Sequence, residues 1–213
     1  MFQLHPYVPS KRMKITPRAM CAAFAIIGFL LVAQPASAAA ILVVDSNGEL
    51  IGATGVSVQG TLYDVSFVDG TCVALFSGCD DAVADFAFTN PTNAAAASQA
   101  LIDQVFLGAY DSAPNLTFGC TDLTRCYVGT PWDTALNPGF VQMALAVNTS
   151  GSTLDYVAYT GTSISNNFSA SSTFVYADWT TSAATPVPEP ASMLLLGTGL
   201  LGAGVRRWRQ KRA

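Results

Sequence analysis

Residues 55–70 read "GVSVQGTLYDVSFVDG", and their alternation sets the fold class. In an extended chain Tyr63, Val65 and Phe67 fall on one side and Leu62, Asp64 and Ser66 on the other, the period of two of a half-buried strand. Gln59-Gly60 interrupts the pattern and predicts a hairpin turn. Upstream, "AILVV" (40–44) and "ELIGA" (49–53) flank Asp45, Ser46, Asn47 and Gly48, a set that suits a tight turn because Asn and Gly accept positive φ. Downstream, "GFVQMALAVNTSGSTLDYVAYTG" (139–161) reads as two strands around Asn148–Gly151. "STFVYADWT" (172–180) reads as a last strand, with Phe174, Tyr176 and Asp178 on one side and Val175, Ala177 and Trp179 on the other. One segment breaks the series. "PTNAAAASQALIDQVFLGAY" (91–110) offers Thr92 or Asn93 as N-cap, an apolar stripe of Leu101, Ile102, Val105 and Phe106 at helical spacing, and Gly108 as breaker. The expected class is mainly β (α+β): an antiparallel, sandwich-like sheet with one packed helix.

This domain sits between two segments of different composition. At the N-terminal side Lys11, Arg12, Lys14 and Arg18 precede the apolar run 19–33 and "QPASA" (34–38). A basic region, a short apolar stretch and small residues at Ala36 and Ala38 predict a secretory signal peptide over 1–38, cleaved before Ala39 by signal peptidase after engagement of the general secretion machinery. The alternative is an N-terminal anchor, for which the run is short against a span of about 20 residues. Initiation at Met1 or at Met13 is left open by this pattern.

Removing 1–38 removes Cys21 and His5, the sole histidine. Residues 39–188 then hold one arginine, Arg125, no lysine and thirteen carboxylates, a formal net charge of −12. Such a surface repels phosphate backbones, since nucleic-acid affinity rests on Lys and Arg neutralising phosphates. Nucleic acid is therefore excluded as an expected partner. The length corresponds to one domain, 39–184, with a sizeable core.

The C-terminal segment 185–213 reads "TPVPEPASMLLLGTGLLGAGVRRWRQKRA". Pro186, Pro188 and Pro190 enforce an extended chain. Residues 191–205 follow as an apolar helix of about 22 Å, marginal against a hydrocarbon core of about 30 Å. Arg206, Arg207, Arg209, Lys211 and Arg212 then hold this end in the cytoplasm by the positive-inside rule, with Trp208 at the interface. The order of Pro188-Glu189-Pro190, helix and basic cluster resembles the PEP-CTERM sorting signal of Gram-negative, exopolysaccharide-producing bacteria. The resemblance implies recognition by a membrane exosortase, a transpeptidase-like protease, with Glu189 in the recognition core and only transient anchoring before transfer to the cell surface or biofilm matrix. "GTLYDVSFVDGTCVALFSGCDD" (60–81) is also similar to segments of ectodomains that recur among PEP-CTERM proteins.

Cys72, Cys79, Cys120 and Cys126 remain in the exported part, and four cysteines allow three pairings. In an oxidising compartment the local pairs Cys72–Cys79 and Cys120–Cys126 are favoured, because each lies in loop-like sequence. Zinc is disfavoured by spacings of six and five intervening residues with no histidine to assist.

Without histidine or lysine in 39–188, the Ser-His-Asp triad, the Cys-His pair and the Schiff base are excluded. Carboxylate chemistry survives, so a glycosidase acting on matrix polysaccharide is the enzymatic alternative. It would require two acids about 5–10 Å apart in an aromatic cleft. Weak structural calcium is a further expectation, at Asp45, Asn47 and Glu49 and at Asp80, Asp81 and Asp85, where oxygen ligands cluster in sequence. The simpler reading makes these acids turn residues. Together these features predict no catalytic residue and no obligatory cofactor. The expected role is structural or adhesive, with exopolysaccharide as the candidate ligand; a small-ligand binding module would need a closed apolar pocket.

Overall fold

A computed structural model describes residues 39–134, 136–151 and 155–183. The signal segment 1–38 and the C-terminal segment 184–213 lie outside the described residues. Among the described residues seven strands form one sheet: β1 (Ile41–Val44), β2 (Leu50–Val58), β3 (Thr61–Val68), β4 (Arg125–Asp133), β5 (Phe140–Thr149), β6 (Tyr156–Ser163) and β7 (Phe174–Thr181). Their spatial order is β1-β2-β3-β7-β4-β5-β6. The last strand in sequence is thus inserted at the centre, antiparallel to β3 and parallel to β4. That parallel pair is a departure from the all-antiparallel expectation. It follows from the long excursion between β3 and β4, which leaves a gap for the returning chain to fill.

The β2–β3 hairpin forms as the alternation requires. Gln59 (φ 50°) and Gly60 (φ 86°) both adopt the left-handed region, as a two-residue type I′ turn demands, and Val58 faces Thr61. Gly52 serves a different need. A Cβ there would lie 2.2 Å from the Val65 carbonyl oxygen, so only glycine allows β2 and β3 to approach at this point.

The helix α1 (Pro91–Gln104) starts earlier than an N-cap at Thr92 or Asn93 would place it. Asn90 is the N-cap, its Oδ1 accepting the Asn93 N–H at 2.9 Å, and Pro91 occupies the first turn, where no N–H is needed. It also ends before Gly108. Gln104 turns its side-chain amide onto β2, accepting from Ser57 N–H at 2.9 Å and donating to Ser57 C=O at 2.8 Å. This pairing imitates a strand neighbour. Val105 and Phe106 then leave the helical path and bury themselves, and Gly108 (φ 63°) opens a separate helical turn, Ala109–Ser112.

Both faces of the sheet are covered. On one, α1 packs Ala94, Ala97 and Leu101 against Val56, Phe67, Val128 and Trp179. On the other, Met143, Leu145, Val147 and Tyr176 meet Phe76, Phe168 and the Cys72–Cys79 disulfide. The sandwich expectation is therefore corrected: loops cover the second face where a second sheet was expected. Central strand β7 shows why, with Val175, Ala177 and Trp179 in the first core and Tyr176 in the second. Asn148 is likewise a strand residue, buried in β5 with its Nδ2–H donating to Tyr110 C=O at 2.7 Å, and the turn begins only after Thr149.

Both local disulfides are present. Cys72–Cys79 and Cys120–Cys126 span Cα–Cα distances of 5.6 and 5.7 Å. The first staples the loop after β3 to the second core, and the second fixes the entry to β4 in the first.

Candidate functional site

An open-sided groove of 420 Å³ lies between β5, the edge strand β6 and the β6–β7 connection. Its apolar part is Met143, Phe168 and Phe174; its polar part is Thr160, Thr162, Asn166, Asn167 and Ser171. Alternation along β6 places Thr160 and Thr162 on the groove side, opposite Met143 and Val141 of β5. The aromatic part is held by stacking: Phe168 lies 4.7 Å from Tyr176 and 5.3 Å from Phe174, and Phe174 lies 4.6 Å from Tyr127, centroid to centroid. The connection is shaped by Asn167, whose Oδ1 accepts the Ser169 N–H at 3.0 Å, and by Asn166, whose Nδ2–H donates to Thr162 Oγ1 at 3.1 Å.

No lining residue is charged. The groove therefore offers hydroxyl and amide groups that both donate and accept, beside apolar carbon. The Tyr176 phenol behind it is buried without a hydrogen-bond partner, and burial pushes its pKa upward.

The candidate calcium residues are placed as turn and cap residues. Asp45 Oδ1 accepts the N–H of Asn47 at 2.9 Å and of Glu49 at 2.8 Å, while Asn47 Nδ2–H donates to Oδ2 at 3.0 Å. These bonds, led by the Glu49 N–H, lower the Asp45 pKa. Asp85 Oδ2 accepts from the N–H of Asp80 (3.0 Å) and Asp81 (3.1 Å), and Asp81 Oδ1 caps Val83 N–H at 3.0 Å. Among the described residues no three His, Cys, Asp or Glu side chains gather in a metal-binding arrangement.

Three other acids carry raised pKa values, each chiefly through desolvation: Asp69 at the end of β3, Asp155 before β6 and Asp178 in β7. Asp155 is held by Thr149, whose N–H donates to Oδ1 at 2.9 Å and whose hydroxyl lies at 3.2 Å. None of the three lines the groove.

Of the remaining sequence candidates, Ala39 is exposed at the start of the described chain. Ala36 and Ala38, Pro188, Glu189 and Pro190, and the basic Arg206, Arg207, Arg209, Lys211 and Arg212 lie outside the described residues. Their reading rests on comparison. Residues 186–210 match the family model of the PEP-CTERM protein-sorting motif. The chain carries a PEP-CTERM sorting signal. The motif is the recognition signal for exosortase, and it marks an exported protein processed at the cell envelope. No curated protein and no solved structure matches the chain. Among the described residues of the PEP-CTERM protein, no helix is long and apolar enough to cross a membrane.

The groove has no contiguous signature in the sequence. Met143, Thr160, Phe168 and Phe174 come from four elements, β5, β6, the β6–β7 connection and β7, and the β5–β6 register and the turn at Asn167 help bring them together.

Proposed function

We propose that this exported protein acts without catalysis, as a structural or adhesive component of the cell surface or extracellular polymeric matrix, and that its groove holds neutral portions of matrix polysaccharide. The sorting motif over 186–210 carries the reading of destination. The groove supports the reading of role: its amide and hydroxyl groups match sugar hydroxyls, its aromatic carbon matches C–H faces, and a surface dominated by carboxylates favours a neutral ligand over an anionic one. The groove is half polar and open at its side, which suits a polymer better than an enclosed small molecule. A glycosidase receives no support there, since the required acid pair is missing from the lining.

In this reading the signal peptide 1–38 is removed before Ala39, the segment 191–205 holds the chain briefly in the inner membrane, and the basic cluster fixes its orientation. Intact mass of protein recovered separately from membrane and matrix tests the route. A matrix species that starts near Ala39, ends near residues 186–190 and lacks two hydrogens per disulfide supports it. Membrane-only protein with the basic tail intact refutes it. Glu189→Ala is expected to leave unprocessed precursor in the membrane, and normal processing of that variant contradicts the role given to Glu189.

A further inference from the structure

The two edges of the sheet are built differently. At one edge β1 has four residues and a register shift between Val43 and Val44, so its free side is short and irregular. Short, bulged edges resist pairing with another chain. At the other edge β6 runs for eight residues, Tyr156–Ser163, in unbroken register with β5. It contains no charged residue and no proline, the usual guards of an edge, although the exported region around it has a formal net charge of −12. Among the described residues no strand lies beyond it.

The pairing phase says which backbone groups are free. Ile164 N–H donates to Gly139 C=O at 3.1 Å, continuing the β5–β6 register, so Thr162, Thr160 and Ala158 turn their backbone groups toward β5. By alternation Val157, Tyr159 and Gly161 turn theirs outward. Tyr159 is also 61% exposed and Tyr156 51%.

We propose that β6 is a homotypic docking edge: two copies of this chain pair antiparallel through Tyr156–Ser163 about a two-fold axis normal to the sheet. The axis passes by Tyr159, which meets its own counterpart. Val157 then faces Gly161 of the second copy, and the outward groups of these three residues form about six N–H···O=C bonds, two per facing pair. Length and unbroken register select this edge over β1, which is equally free of charge. Two strongly acidic copies approach with least repulsion where the strand itself carries no carboxylate; the neighbouring Asp155 directs its Oδ1 back to Thr149. The result is one sheet running through both copies, with both grooves, which share Thr160 and Thr162 of β6, brought close to the junction.

The full chain, purified in mild detergent, is examined by sedimentation as the parent, as Tyr159→Lys, as Tyr159→Glu, and as an equimolar mixture of the two variants. The side chain is largely exposed, so both variants are expected to fold, and a thermal melt checks that they do. Like charges facing each other across the axis are expected to weaken pairing at least tenfold in each variant alone, and mixing them to restore it. Association through other segments is common to all samples and does not respond to residue 159. A parent that stays single at tens of micromolar, or pairing unchanged by Tyr159→Lys, or a mixture that fails to recover, overturns the proposal. None of these outcomes depends on whether exosortase processes the chain.

Discussion

A buried polar chain ties the sheet to its helix and gives a quantitative test of the core. Trp179 Nε1–H on β7 donates to Thr130 Oγ1 on β4 at 3.1 Å, the Thr130 and Ser98 hydroxyls lie 3.2 Å apart, and Ser98 Oγ–H on α1 donates to Ala144 C=O on β5 at 3.0 Å. All three side chains are buried. Each hydroxyl has one proton, so when Ser98 gives its proton to Ala144, Thr130 donates to Ser98 and accepts from Trp179, and every donor is used. Thr130→Val keeps the shape and removes the hydroxyl. It leaves the indole N–H buried with no acceptor, at a cost of about 1–3 kcal/mol, while Ser98 keeps its bond to Ala144. For a domain of this size about 2 kcal/mol corresponds to a fall in melting temperature of roughly 4–8 °C. Urea titration of the oxidised protein, followed by tryptophan fluorescence, measures the loss. Trp179→Phe removes the donor itself, so in that background Thr130→Val is expected to cost at least about 1 kcal/mol less than it does alone. A single variant as stable as the parent, or costs that simply add, refutes the assignment of the Thr130 hydroxyl as the indole's necessary acceptor.

Two further outcomes follow from the acids and the cysteines. Burial raises the Asp178 pKa above its ordinary 3.8, so between 3.8 and the raised value the folded protein holds the proton that the unfolded chain has released. Stability falls as pH rises through that window, and the penalty is complete above it. Asp178→Asn is therefore expected to be more stable than the parent at about pH 7 and to lose that advantage at about pH 3; an equal advantage at both values contradicts the desolvation argument. Replacing Cys120 and Cys126 together by Ala releases a loop closed over a sequence separation of 6, a loss of about 2 kcal/mol in the chain-entropy model. Non-reducing urea midpoints measure it, and an unchanged midpoint shows that the bond does not constrain the unfolded chain.

Local rules carried the reading of this fold as far as local causes reach. Gln59-Gly60 and Asp45–Gly48 turn the chain because their own backbone and side-chain preferences suffice, and adjacent strands β2, β3, β5 and β6 pair across short connections. Central strand β4 escaped because Gly129 and Pro131 lie inside it, both depleted in strands. Pro131 is accommodated at a register shift against β5, and Gly129 lets the Met143 sulfur approach to 2.8 Å of where a Cβ would stand. The parallel β4–β7 pair had no signal either, since it joins residues 127–129 to residues 174–176, with β5 and β6 between them in sequence. Asn90-Pro91 marked the start of α1 more strongly than the alanine run after it, while its end was set by Gln104 reaching a strand 47 residues away.

The sorting signal and the groove differ in legibility for a related reason. A sorting motif is matched along consecutive residues, here 186–210, so it leaves a linear pattern in the sequence. A groove for a neutral polymer needs hydroxyls and amides at particular points in space, and Thr, Ser and Asn supply these from any segment the sheet brings into place. These residues are also the ordinary material of turns, so one at a time they carry no signal. Charge is the exception, because a carboxylate-rich surface is visible in composition before any fold is known. It already favours neutral over anionic ligands, and it also makes the uncharged run Tyr156–Ser163 conspicuous on the strand that borders the groove.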